Sequence, residues 1–303
     1  MPEIIKNRSE ILFMYDVTYA NPNGDPNDEN KPRIDEETGI NIVTDVRLKR
    51  TIRDYLDNFK NCEIFIKEIR DENNKLKTKE LRFEELGKKP EEILSKCIDL
   101  RLFGATIAIQ NATLTLTGPV QFSYGHSLHR VNLSYIKGTT VMPSGAGKEQ
   151  GTMTERYILP YSFIVFYGIV NDNSARMQNI PLTDEDVDLM MEAIWYGTKN
   201  LISGSKFGHN PRFLMQIVYK EDQNFHIGEL DRFVSLKSNL TDESIRDISE
   251  FKIEIQKLVD KILENKEKIK EIRLRKDERL NTEPQQFEDL IKREGIVIKP
   301  FQF

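Results

Sequence analysis

Three stretches of this chain are so apolar and so rich in β-branched and aromatic residues that they read as buried strand: 11–19 (ILFMYDVTY), 157–170 (YILPYSFIVFYGIV) and 213–219 (FLMQIVY). The first is apolar on both faces, as in a central strand covered on both sides. Two amphipathic helices lie between the three stretches. Thr44 caps the first, whose buried face is Leu48, Ile52, Tyr55, Leu56 and Phe59 at helical spacing. Thr183 with Asp186 forms a capping box for the second, continued by Val187, Met190, Met191 and Ile194. A fourth strand is predicted over 113–124, where Leu114, Leu116, Val120, Phe122 and Tyr124 alternate with Thr113, Thr115, Thr117, Gln121 and Ser123.

In chain order these elements are βαββαβ, an α+β arrangement with the order of a ferredoxin-like or RNA-recognition-motif-like domain. At 303 residues the chain is long enough for one large domain or two smaller ones. The excess over the six elements falls in insertions. Residues 21–33 (NPNGDPNDENKPR) are loop. Residues 60–99 are dense in charge of both signs and read as an insertion, with a strand over 62–70 and a hairpin turn at 71–75. Residues 125–156 are polar, small and basic, as in a protruding arm. We therefore expect a palm over 1–240. Over 241–303, Ile245, Ile248, Phe251, Ile255, Leu258, Ile262, Ile269 and Ile272 recur every three or four residues and predict a long amphipathic helix or helical pair. The tail GIVIKPFQF either adds an edge strand or docks on a neighbour.

Charge distribution narrows the function. The chain has 49 acidic residues, about one in six, yet 100–148 contains none and 193–220 contains none. Each window keeps four Lys or Arg, so together they carry +8 in a chain whose net charge is −5. A surface that follows a nucleic-acid backbone excludes carboxylates, which repel phosphate. Burial explains the apolar strands within the windows, but not the polar, basic stretch 124–148. Two cysteines, Cys62 and Cys97, make no metal-ligand spacing and fit a reducing, cytoplasmic setting. No apolar run reaches the roughly 20 residues of a membrane helix.

The strongest local site is the group Arg47, Lys49, Arg50 and Arg53 at the start of a helix, where free N–H groups and the dipole favour anions. The preceding loop brings Asn21 and Asn23 beside it. The uncharged face of 113–124 offers Gln121 and Ser123, the arm offers Lys137 and Lys148, and the second window offers Lys206 and His209. SGAGK (144–148) is not a phosphate loop: Glu149 stands where Ser or Thr is needed and Met142 where Gly is needed. His126 and His129 have no third ligand at metal spacing and read as polar contacts. Asp16, Asp25, Asp28 and Asp45 could converge to hold magnesium, but turn and helix-start chemistry accounts for Asp25, Asp28 and Asp45.

Five separated motifs, NPNGDP (21–26), TDVRLKRTIRDYL (44–56), DLRLFGA (99–105), TGPVQFSYGHSLHRV (117–131) and GTMTERYILPYSF (151–163), resemble the backbone subunit of CRISPR-associated Cascade complexes. The likeness covers about 9–220 and is greatest to the type I-B form, with type I-C near. It implies an RNA-recognition-motif-like palm with a finger (about 60–99) and a thumb (about 125–156). It implies copies assembled head to tail along a guide RNA, with other Cascade subunits and no cofactor. The bases so presented pair with target DNA, which a recruited helicase-nuclease cuts. By this resemblance Arg47, Lys49 and Arg50 touch the guide backbone, Asn21 and Asn23 sit at its edge, and Met142 or Met153 wedges at a flipped base. The related type III backbone cleaves RNA with an acidic loop residue, which leaves a metal-dependent endoribonuclease using Asp25 or Asp28 as the alternative.

Overall fold

The computed structural model describes residues 3–87, 89–109, 112–139 and 153–303. The chain opens with β1 (Ser9–Ala20), two short strands β2 (Gly24–Asp25) and β3 (Lys31–Pro32), β4 (Ile40–Val43) and α1 (Asp45–Lys60). An insertion carries α2 (Lys79–Leu86), α3 (Pro90–Lys96) and α4 (Ile98–Phe103), followed by a hairpin of β5 (Gly104–Ile109) and β6 (Ala112–Thr117). Then come β7 (Val120–Phe122), β8 (Gly125–Arg130), β9 (Ser134–Thr139), β10 (Met153–Val170), α5 (Asp172–Met177), α6 (Asp184–Lys199) and β11 (His209–Tyr219). The last part holds β12 (Ser235–Ser238), β13 (Phe251–Glu254), α7 (Gln256–Glu264), β14 (Ile269–Lys276), β15 (Thr282–Glu283), α8 (Phe287–Arg293) and β16 (Ile298–Pro300). No helix among the described residues is long and apolar enough to cross a membrane.

The central sheet runs β16-β14-β11-β1-β10-β8-β4, with β7 and β9 also on β10. β1 lies between β10 and β11, antiparallel to both. Its two faces meet different cores, which is why its sequence is apolar throughout. Ile11, Phe13, Tyr15 and Val17 face a core shared with α1 and α6. Leu12 and Met14 face a second core made with the C-terminal region. Thr44 caps α1, and Thr183 and Asp186 form the expected capping box on α6. The insertion has a small core of its own around Phe65, Phe83, Ile93 and Leu100.

Four expectations are corrected. The strand predicted over 113–124 is two strands in different sheets: β6 pairs β5, and β7 pairs β10. The break falls at Gly118-Pro119. Gly118 passes so close to the Phe103 backbone that a Cβ would lie 2.0 Å from it, and Pro119 has no N–H for a ladder. Tyr124 consequently faces solvent, as does Phe59 on α1. Residues 62–70 form no strand beyond isolated bridges, because the N–H groups of Phe65 and Ile66 donate to the Asp99 carboxylate instead of a neighbouring strand. The long C-terminal helix is also absent. The α-helices there are α7 and α8, with three short 3-10 turns, while β14 adds to the sheet on the free side of β11 and β16 adds to β14 in parallel. The tail thus takes the edge-strand option.

Candidate nucleic-acid interface

The predicted loop, helix start and second acid-free window meet at one end of β1. Asn23 Oδ1 accepts from both the N–H and the hydroxyl of Thr44, each at 2.9 Å. Asn23 therefore holds the α1 N-cap in place. Asn21 is buried, with its amide donating to the Asn30 carbonyl at 2.7 Å. Across from it, Lys206 Nζ donates to the Asn21 carbonyl, and Asn21 N donates to the Ser205 carbonyl at 2.9 Å. Arg47 lies on the first turn of α1 and donates from Nη2 to Thr51 Oγ1 at 3.0 Å. His209 is buried and donates from Nδ1 to the Lys206 carbonyl. Burial, and then the Lys206 charge, push its pKa down to about 3, so the ring is neutral. Among the described residues Arg47 Nε and His209 Nε2 have no partner, and both residues line a cavity of about 10 Å³, room for one water.

The electrostatics of this corner are unusual for the molecule. Most other arginines withdrawn from solvent are matched by a carboxylate: Arg8 with Asp172, Arg53 with Asp99, Arg101 with Asp186 and Arg212 with Asp16; Arg275 instead donates to the Phe303 carbonyl and packs over Trp195 and Tyr196. Arg47 and Lys206 have no carboxylate within 4 Å among the described residues. Burial lowers the pKa of Arg47, and Asp54, which opposes that shift, is already bound by Arg50. Burial and then the Arg47 charge lower Lys206 to about 8. Two half-buried cations that repel one another, beside a helix N-terminus, make a site that an anion would stabilise. Tyr19, held in the left-handed region at φ 47°, and Phe207 expose their rings next to it, at 63% and 71%.

Around this corner the other predicted residues divide. Lys49 is bound by Asp45 at 2.9 Å and reaches Gln121 Oε1 at 3.3 Å. Arg50 and Ser123 are exposed, Arg50 paired with Asp54 at 2.7 Å. Lys137 is exposed on β9. Arg53, expected with Arg47, Lys49 and Arg50 in the anion-binding group, is inside: it is bound to Asp99 at 2.9 Å and stacked over Phe103. His129, Asn21 and His209 are likewise buried and offer no surface to a polyanion. His126 is half-buried, 3.8 Å from Asp231. Met142 and Lys148 lie outside the described residues, and Met153 begins β10 opposite Thr139.

The acidic candidates do not converge. Asp16 is buried against Arg212, Asp25 pairs with Arg33, and Asp28 pairs with Lys31 at 2.6 Å. Among the described residues no three His, Cys, Asp or Glu are grouped as metal ligands. Two residues that sequence reasoning passed over tie the arm to this corner. Arg156 Nη1 donates to the Gly204 carbonyl at 2.8 Å, and the Tyr157 hydroxyl donates to Glu29 at 2.7 Å. Their only sequence signal is their place where the apolar run of β10 gives way to the polar arm.

Two solved structures define the class of fold. One, described as "CRISPR RNA-guided surveillance complex, pre-nicking", superposes with a TM-score of 0.51 at 12% identity, over 95% of this chain and all of that one. The other, described as "CRISPR RNA-guided surveillance complex", gives 0.50 at 14% identity, over 94% and 99%. At sequence level, the family described as CRISPR-associated protein Cas7 matches residues 7–256. A "CRISPR-associated protein Cas7" of Haloferax volcanii is 33% identical over 287 residues, 84% of this chain and 82% of the relative. The chain belongs to the Cas7 family.

Proposed function

We propose that this protein is a non-catalytic backbone subunit of a CRISPR Cascade surveillance complex. It polymerises head to tail along a guide RNA, holds the backbone, and presents bases to target DNA. Cutting is left to a recruited helicase-nuclease, and the other Cascade subunits complete the particle. The strand order β11-β1-β10-β7, with α1 and α6 on one face, supports the RNA-recognition-motif-like palm. Residues 60–99 then form the finger, and the β9/β10 ribbon forms the described part of the thumb.

The observation that carries this reading is the Arg47–Lys206 corner. Two half-buried cations without carboxylate partners are costly unless a phosphate neutralises them. Lys49, Arg50, Gln121 and Ser123 extend that anchor along the surface, and the Tyr19 and Phe207 rings suit stacking against bases of any sequence. Recognition of phosphate in place of base edges fits a guide whose sequence varies. The test is anisotropy with unrelated single-stranded RNAs of equal length across a salt series. Wild type should bind all of them alike with a steep salt dependence, and Arg47→Met with Lys206→Met should bind weakly with a shallower slope. Wild-type slope and affinity in the double variant would refute the assignment.

A further inference from the structure

The C-terminal region grips the root of the β9/β10 ribbon. Asp242, in the short turn Asp242–Ser244, accepts from the Arg130 N–H on its Oδ2 at 2.9 Å. The His129 Nδ1–H is shared between the Arg130 carbonyl at 2.8 Å and the Asp242 carbonyl at 3.2 Å. On the other side of the ring, Nε2 accepts from the Phe163 N–H at 3.2 Å. The ring stacks on Tyr161, whose hydroxyl donates to Asp16. His129 is thus the point where β8, β10 and the C-terminal region are joined.

This junction sits where the ribbon leaves the sheet. β8 pairs with β10 only at Ser127↔Ile164 and His126↔Val165, and β9 then pairs with the outer part of β10 from Ser134↔Ile158 outward. Between them, the chain at 129–131 is held by Asp242, by the Ile40↔Arg130 pairing and by the Val131 N–H on the Gly39 carbonyl. The direction of the ribbon is set over those residues. The hydrogen bond from Phe163 requires a neutral ring with its proton on Nδ1. Burial favours that state, lowering the His129 pKa against the opposing pull of its bonds to Arg130 and Asp242 and of the Asp242 and Glu243 charges.

We propose that Asp242 is a positioning residue for the ribbon: through Arg130 and His129 it fixes the angle at which the ribbon projects, and so the spacing at which successive copies occupy RNA. The inference rests on the RNA-backbone reading above. It gives the C-terminal region a task in assembly, separate from phosphate binding at the Arg47–Lys206 corner.

The test compares full-length wild type, Asp242→Ala and Asp242→Asn on a short RNA that fits one copy and on a long RNA probed by nuclease protection. Asp242→Ala should bind the short RNA as wild type does and lose the regular spacing of protection on the long one. Asp242→Asn, which keeps an oxygen acceptor for the Arg130 N–H, should restore it. Asp242 is half-buried on a surface turn outside the cores, and thermal melting checks that both variants fold. Regular spacing in Asp242→Ala, or equal failure of Asn and Ala, would overturn this inference alone. A wild type that protects no RNA overturns the function on which it rests, and this inference with it.

Discussion

With a phosphate on Lys206, as proposed, the lowered pKa of that lysine predicts that RNA binding takes up a proton in mildly alkaline solution. In the free protein, burial and the neighbouring Arg47 hold Lys206 near 8, from an ordinary 10.5. A phosphate in contact with Nζ removes the reason for the depression and returns the group toward its ordinary value. Binding then raises the pKa, so affinity is fully present below that of the free protein and is lost as pH rises through it. With the two values above, affinity should fall about tenfold between pH 7 and pH 9, roughly 1.4 kcal/mol, and about 0.9 proton should be taken up at pH 9. The assay is titration calorimetry at pH 9 in buffers of different ionisation enthalpy, whose slope counts protons. An oligonucleotide of adenosine and cytidine avoids base titration. Lys206→Arg, a cation that stays charged throughout this range, should bind with a flat profile. A wild-type affinity independent of pH from 7 to 9, or a slope that persists in Lys206→Arg, would refute the coupling.

Two further outcomes follow from the same structure. Asp99 is fully buried and accepts from Arg53, Phe65 N and Ile66 N, so Asp99→Ala strands a guanidinium and two amides. It should cost about 3–5 kcal/mol, read as an earlier urea midpoint. Reversing Lys49 and Arg50 to Glu should abolish a gel shift with guide RNA at physiological salt; Arg50 is exposed, but the Lys49 ammonium lies 5.6 Å from the centre of the Phe103 ring, so circular dichroism must show that the variant keeps its fold. If each contacts one phosphate, neutral Gln variants should reduce the slope of log affinity on log salt by about 1.4; an unfolded spectrum or an unchanged shift counts against the placement.

Where the sequence was legible, local chemistry and tertiary context agreed. β1 is apolar on both sides because it is covered on both sides, and the Thr44 and Thr183 caps mark where α1 and α6 begin. The C-terminal region misled for a specific reason. Ile269, Ile272 and Leu274 all face the second core, and the first two are three residues apart, as on a helix. A register shift opposite Val218 and Tyr219 inserts Lys270 as an extra residue in β14. A bulge of this kind turns a period of two into a step of three and imitates helical spacing. The strand was also required from outside: without it, β11 would leave a long apolar strand as the edge of the sheet.

The same limit applies to the charges. The acid-free windows mark segments, whereas ion pairs form between segments, so Arg101 in the first window meets Asp186 and Arg212 in the second meets Asp16. Arg47 and Arg53 show what has to be added. They lie on one helix, six residues apart, and composition, spacing and charge treat them alike. Arg53 is buried with Asp99 at 2.9 Å, its charge matched within the fold. Among the described residues, half-buried Arg47 has no partner for Nε, and its cationic neighbour Lys206 holds only a carbonyl. A matched buried cation has its desolvation offset within the fold, but an unmatched one gains that compensation when an anion arrives. The anion site proposed at this end of β1 therefore rests on a carboxylate missing among the described residues, a property of the folded chain that no window of sequence contains.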